Sequence, residues 1–121
     1  MMGILINLVR KFLEAFHFVT CSDVTVRFVS RHPNPEQIRS GEMLIVRDKI
    51  DKWLCFHCPD GCGEIIKLPL NPRQRPRWGV SSDWLRRPTV NPSVRQTSGC
   101  KSHFWVRKGK IDWCGDSGNS A

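Results

Sequence analysis

The sequence predicts a mainly β (α+β) protein: an N-terminal amphipathic helix, then a small antiparallel β domain in which a zinc site pins two hairpins. Three observations carry this. Apolar residues recur at helical spacing only over residues 3–16. The rest is a succession of short β-branched and aromatic runs, in a chain with eight Pro and nine Gly. Thiols and imidazoles gather in two places, residues 55–62 and residues 100–114.

With 121 residues the chain makes one domain. Its expected divisions are 1–17 for the helix, 18–114 for the zinc-stabilised β domain and 115–121 for a flexible Gly/Ser/Asn-rich tail. In the helix, Leu5, Leu8, Val9, Phe12, Leu13 and Phe16 form one stripe, with Asn7, Arg10, Lys11 and Glu14 largely opposite. That stripe is expected to pack on the domain, with a partner or a membrane surface as the alternative. Cys21 follows in a loop and reads as a small buried apolar residue.

Val24–Ser30 is the first expected strand. Asn34 and Pro35 then supply a cap and a first-turn proline for a short helical turn at Glu36–Arg39. Met43–Val46 and Lys52–Phe56 are expected strands joined by a polar turn. Glu64–Leu70 is the next, and the two strands around residues 57–63 make a hairpin. At its tip, Pro59-Asp60-Gly61 reverses the backbone, because Pro presets φ and Gly tolerates positive φ. Arg77–Val80 and Thr89–Val94 are further strands, the latter bent at Pro92. Ser102–Arg107 and Lys110–Cys114 flank Lys108-Gly109 as a second hairpin, which sets Cys114 roughly across from His103.

Cys58 and Cys62 at the first tip supply half of a tetrahedral site. The other half comes from the second hairpin, as Cys100 with Cys114 or as Cys100 with His103. Either set suits a structural zinc ion, since four protein ligands leave no open position for catalysis. Cys55 reads as a core residue and His57 as a strand residue. No basic leader with a cleavage site precedes the domain, so reduced thiols and a cytoplasmic location are expected. No apolar run reaches the ~18 residues of a membrane span.

If all four ligands are thiols, His103 is free to act as a base. Ser93 lies in an extended segment ten residues before it, so antiparallel pairing could bring the hydroxyl to the imidazole. A serine becomes a nucleophile when a base takes its proton and a third group fixes the base; Asp83 and Glu64 are the candidates for that third role. The net charge of +8 offers a basic surface to nucleic acid, an acidic protein or an anionic membrane. Three readings therefore stand: a serine hydrolase, a non-catalytic adaptor and a nucleic-acid-binding protein.

The segments Cys58-Pro59-Asp60-Gly61-Cys62-Gly63-Glu64, Pro76-Arg77-Trp78, 88–94 and 99–114 occur in an order that resembles a bacterial family of small cysteine-rich proteins, DUF6527. The family knuckle often reads Cys-Pro-Cys-Gly-Cys, whereas here Asp60 takes the middle position. The resemblance implies an operon with ubiquitin-like, activating and conjugating proteins, and a serine peptidase that removes the tag. Carried over to this chain, it implies Ser93 and His103 as catalytic residues and Cys58, Cys62, Cys100 and Cys114 as zinc ligands. A ubiquitin-like protein or its conjugates would be the partner, with Trp78 and Trp105 shaping a channel for a glycine-like tail.

Overall fold

A computed structural model describes residues 2–15, 23–97 and 99–118. Phe16, Cys21 and residues 119–121 of the expected tail lie outside the described residues. Among the described residues, helix α1 (Met2–Ala15) is followed by eight strands: β1 (Thr25–Val29), β2 (Glu42–Asp48), β3 (Ile50–His57), β4 (Ile65–Pro69), β5 (Gly79–Ser82), β6 (Pro88–Arg95), β7 (His103–Arg107) and β8 (Lys110–Trp113). They form two four-stranded sheets, in the orders β1-β2-β3-β4 and β5-β6-β7-β8.

All neighbours are antiparallel except β1 and β2, which pair in parallel with Thr25 opposite Glu42. The connection between them carries a single 3₁₀ turn, Pro35–Gln37, where the Asn34 backbone N–H donates to the Gln37 side chain at 2.8 Å. β2 is buried on both faces, which explains its unbroken run Met43-Leu44-Ile45-Val46. Met43 and Ile45 join Val26, Leu54, Phe56, Ile66 and Leu68 in the main core. Val90, Val94, Phe104 and Val106 of the second sheet complete it, so the two sheets are joined through one apolar layer. Leu44, Val46 and Cys55 point the other way, into a smaller cluster with Ile38. Cys55 is thus a core thiol, as its strand position suggests.

α1 departs from the expected packing. Leu5, Leu8 and Phe12 are exposed, Leu5 by 62%. The residue drawn inward is Arg10, which donates to Asn7 Oδ1 at 2.8 Å and to the Leu85 carbonyl at 3.5 Å, and pairs with Glu14. A guanidinium with this many acceptors can be buried, and the helix meets the domain on a mixed face in which Arg10 is buried and Ile6, Val9 and Leu13 are half-buried, while Asn7 and Lys11 stay exposed. Among the described residues, no helix is long and apolar enough to cross a membrane.

Candidate active site and thiol cluster

The register of β6 against β7 sets Arg95 opposite His103 and Val94 opposite Phe104. Side chains alternate along a strand, so Val94 and Phe104 enter the core while Ser93, Arg95 and His103 share the outer face. The ladder is interrupted between Val90 and Val94, around a cis Asn91–Pro92 bond. Ser93 Oγ lies 3.0 Å from His103 Nε2.

On the far side of His103, the Cys114 backbone N–H donates to the His103 carbonyl at 2.9 Å, so Cys114 is its partner across the last hairpin. Two residues on, Asp116 Oδ1 lies 2.7 Å from His103 Nδ1. A carboxylate only accepts, which places the ring proton on Nδ1 and leaves Nε2 open to accept from Ser93. Asp116 also pairs with the Arg95 guanidinium; Nη2 lies 3.0 Å from the same ring nitrogen as a second donor, so Asp116 is the acceptor that Arg95 and the Nδ1–H share. The hydrogen bond from His103, reinforced by Arg95, outweighs desolvation and holds the Asp116 carboxyl below its ordinary range.

The turn carrying Asp116 is tied down. Ser117 N–H donates to the Cys114 carbonyl at 3.0 Å, Ser117 Oγ accepts from the His103 N–H at 3.0 Å, and Gly118 N–H donates to the Lys101 carbonyl at 2.8 Å. Residues 115–118 therefore dock on the last hairpin, where a free tail was expected from composition.

Neither residue considered for the third role is near the imidazole. Asp83 caps its own loop, accepting from the Leu85 and Arg87 backbone N–H groups and from Arg87 Nε at 2.6 Å. Glu64 accepts from Gln96 Nε2 at 3.0 Å. Asp116 lies past the end of β8, in a turn, where strand alternation no longer assigns a face.

The thiols assemble on the other side of β7. Cys58, Cys62 and Cys100 are brought together with Asp60, and one donor atom from each lies within 4.8 Å of the others; these four could hold a metal ion. Cys114 is grouped instead with His103 and Asp116. At the knuckle, Asp60 Oδ1 accepts from the Cys62 N–H at 2.8 Å and from the Cys58 thiol at 3.0 Å. Cys58 and Cys100 Sγ are 3.7 Å apart. The buried Ser102 donates from Oγ to Asp60 Oδ2 at 2.8 Å and lies 2.9 Å from Cys100 Sγ.

Hydrogen bonds from the Cys58, Cys62 and Cys100 thiols hold the Asp60 carboxyl well below the usual carboxylate range. The Cys58 thiol is pushed up, first by burial and then by Asp60. The Glu64 backbone pulls Cys62 down, but Asp60, desolvation and the neighbouring thiols push it up to about 12. Three thiols gathered around one carboxylate form a dense donor set of the kind that soft divalent ions select.

Beside Ser93, a groove of about 520 Å³ is lined by Arg77, Trp78, Gly79, Asn91, Pro92 and Trp105. Trp78 Nε1 donates to the Ser93 carbonyl at 3.2 Å, and the Arg107 guanidinium stacks 4.7 Å from the Trp105 ring. A family model described as bacterial ubiquitination-like system serine protease (BubE) matches residues 28–114, a span that takes in Ser93 and His103 and stops short of Asp116. No curated protein and no solved structure matches the chain.

Proposed function

The chain belongs to this family of bacterial ubiquitination-like system serine proteases, and on that premise we propose that it is a serine peptidase with Ser93 as nucleophile, removing a ubiquitin-like tag from its conjugates or precursor. The observation that carries the reading is the relay from Ser93 Oγ to His103 Nε2 at 3.0 Å and from His103 Nδ1 to Asp116 Oδ1 at 2.7 Å. Ser102, adjacent to His103 in sequence, is buried and its hydroxyl is engaged by Asp60 and the thiols.

Ser93 Oγ attacks the scissile carbonyl carbon while its proton passes to His103 Nε2. The imidazolium so formed is stabilised by Asp116 through Nδ1–H, and Asp116 is itself held by Arg95. His103 then gives the proton to the leaving amine as the C–N bond breaks, leaving an acyl ester on Ser93. Water, deprotonated by the same imidazole, releases the carboxylate and restores the hydroxyl. The groove between Trp78 and Trp105 suits a narrow, glycine-like tail of the tag, and basic side chains around it suit an acidic surface on the tag.

Zinc on the thiol cluster would hold the knuckle against the second sheet and thereby support β7; the reaction runs on Ser93, His103 and Asp116 alone. The test is cleavage of a fusion of the operon's ubiquitin-like protein, followed by intact mass. Ser93→Ala should lose at least ~10⁴-fold in rate while keeping its fold. Labelling by a fluorophosphonate should map to Ser93. Cleavage by Ser93→Ala at the wild-type rate, or labelling at Ser102, would overturn the assignment.

A further inference from the structure

We propose that the metal centre is a mixed site of three thiolates and one carboxylate, with Asp60 as the fourth ligand in addition to Cys58, Cys62 and Cys100, and with Cys114 outside the coordination shell. The inference deepens the metal reading above and rests on it.

Strand parity argues against Cys114. Its N–H donates to the His103 carbonyl, so the two are cross-strand partners and their side chains share a face. The residue whose side chain meets the thiols is Ser102, one position earlier and therefore on the opposite face. Cys114 can join Cys58 only by flipping the last hairpin, which would expose Phe104 and Val106, both fully buried.

Distances argue for Asp60. Two ligand bonds of ~2.3 Å at a tetrahedral angle set their sulfurs about 3.8 Å apart, and Cys58 and Cys100 Sγ already stand at 3.7 Å. Asp60 Oδ1 reaches Cys58 Sγ at 3.0 Å, from the turn that also delivers Cys62. Its second oxygen accepts from Ser102 Oγ at 2.8 Å, which fixes the carboxylate's rotation; Oδ1, which also accepts from the Cys62 N–H, is the oxygen turned to the thiols and the one placed to meet an ion. An oxygen donor hardens the site. It should favour zinc over cadmium more strongly than a four-thiolate site does.

The experiment strips metal from the full chain and titrates it with zinc against a chromophoric chelator and with cobalt(II) by absorbance. Wild type should bind one equivalent. Cys114→Ser should bind within about twofold of wild type. Asp60→Ala should lose more than the ~10–100-fold that removal of a second-shell partner costs. Asp60→Cys should fold, bind one equivalent, raise the cobalt–thiolate absorbance by about one third as three sulfurs become four, and shift preference toward cadmium. It also keeps the proposal testable if Asp60→Ala fails to fold. If wild type binds no metal, the metal reading itself fails and this inference with it. If wild type binds but Cys114→Ser does not, or if Asp60→Cys leaves the cobalt spectrum unchanged, the metal reading stands and the Asp60 assignment is overturned.

Discussion

Ser102 and His103 are consecutive in the chain, yet Ser102 Oγ contacts the Cys58 and Cys100 thiols while His103 Nε2 contacts Ser93. One peptide unit thus joins the thiol cluster to the imidazole beside Ser93, and alternation at the start of β7 is what sends the two side chains to opposite faces. A shift of the knuckle is passed to the imidazole with no flexible linker between.

Metal removal should therefore lower activity as well as stability. Stripping the ion with a strong chelator under reducing conditions is expected to lower Tm by roughly 10–20 °C, the equivalent of about 3 kcal/mol in a domain of this size. Cleavage of the tag fusion should be lost, and both should return on adding one equivalent of zinc. Full activity in the stripped protein would refute the coupling.

Asp116→Asn should reduce kcat/KM by about 10⁴-fold, because an amide can donate to Nδ1 and stabilise the wrong tautomer. Arg95→Gln should cost less, up to about 10²-fold, since it loosens Asp116 without removing it. In both variants the loss should fall on kcat, with KM little changed. A rise in KM alone would assign these residues to binding.

The depressed Asp116 carboxyl also makes a stability prediction. In the unfolded chain it titrates at its ordinary 3.8, and in the folded protein lower. The folded state thus prefers the ionised form, so this contribution is complete above about pH 4 and disappears as pH falls through the folded value. Urea unfolding should show wild type more stable than Asp116→Asn at pH 6, with the gap closing at acid pH. A gap that widened on acidification would contradict the pairing with His103 and Arg95.

Gly99→Ala tests the approach to Cys100 from the other direction. Gly99 has φ +63°, and a Cβ there would lie 1.9 Å from Glu64 Oε1. The substitution forces a left-handed alanine and displaces Glu64 from Gln96, at about 1–2 kcal/mol. Thermal unfolding should register it, and zinc affinity should drop, because Gln96 Nε2 also lies 3.7 Å from Cys100 Sγ.

Much of this arrangement is legible in the residues. The strands follow from β-branched runs and turn signals, and the pairing of Cys114 with His103 follows from Lys108-Gly109 at the hairpin tip. Two features resist such reading for a common reason. Asp116 sits in a Gly-Asp-Ser-Gly stretch whose composition says free tail, and only the cross-strand bonds of Ser117 and Gly118 make it part of the site. Asp60 looks like a turn former, which it is; that its carboxylate also faces three thiols depends on how the two sheets meet. The orientation of α1 was hidden for a simpler reason. A helical stripe gives a direction for apolar side chains but not the acceptors, such as the Leu85 carbonyl, that can draw Arg10 inward.

The exposed loop at residues 72–77 is the only stretch of chain between the two sheets, since β4 ends at Pro69 and β5 begins at Gly79. Divided there, the polypeptide becomes two halves of unequal endowment. One bears Cys58, Asp60 and Cys62; the other bears Cys100, Ser102 and all three members of the relay. Expressed separately, the halves are expected to regain hydrolysis only on mixing, and a metal held by Cys58, Asp60, Cys62 and Cys100 would join them.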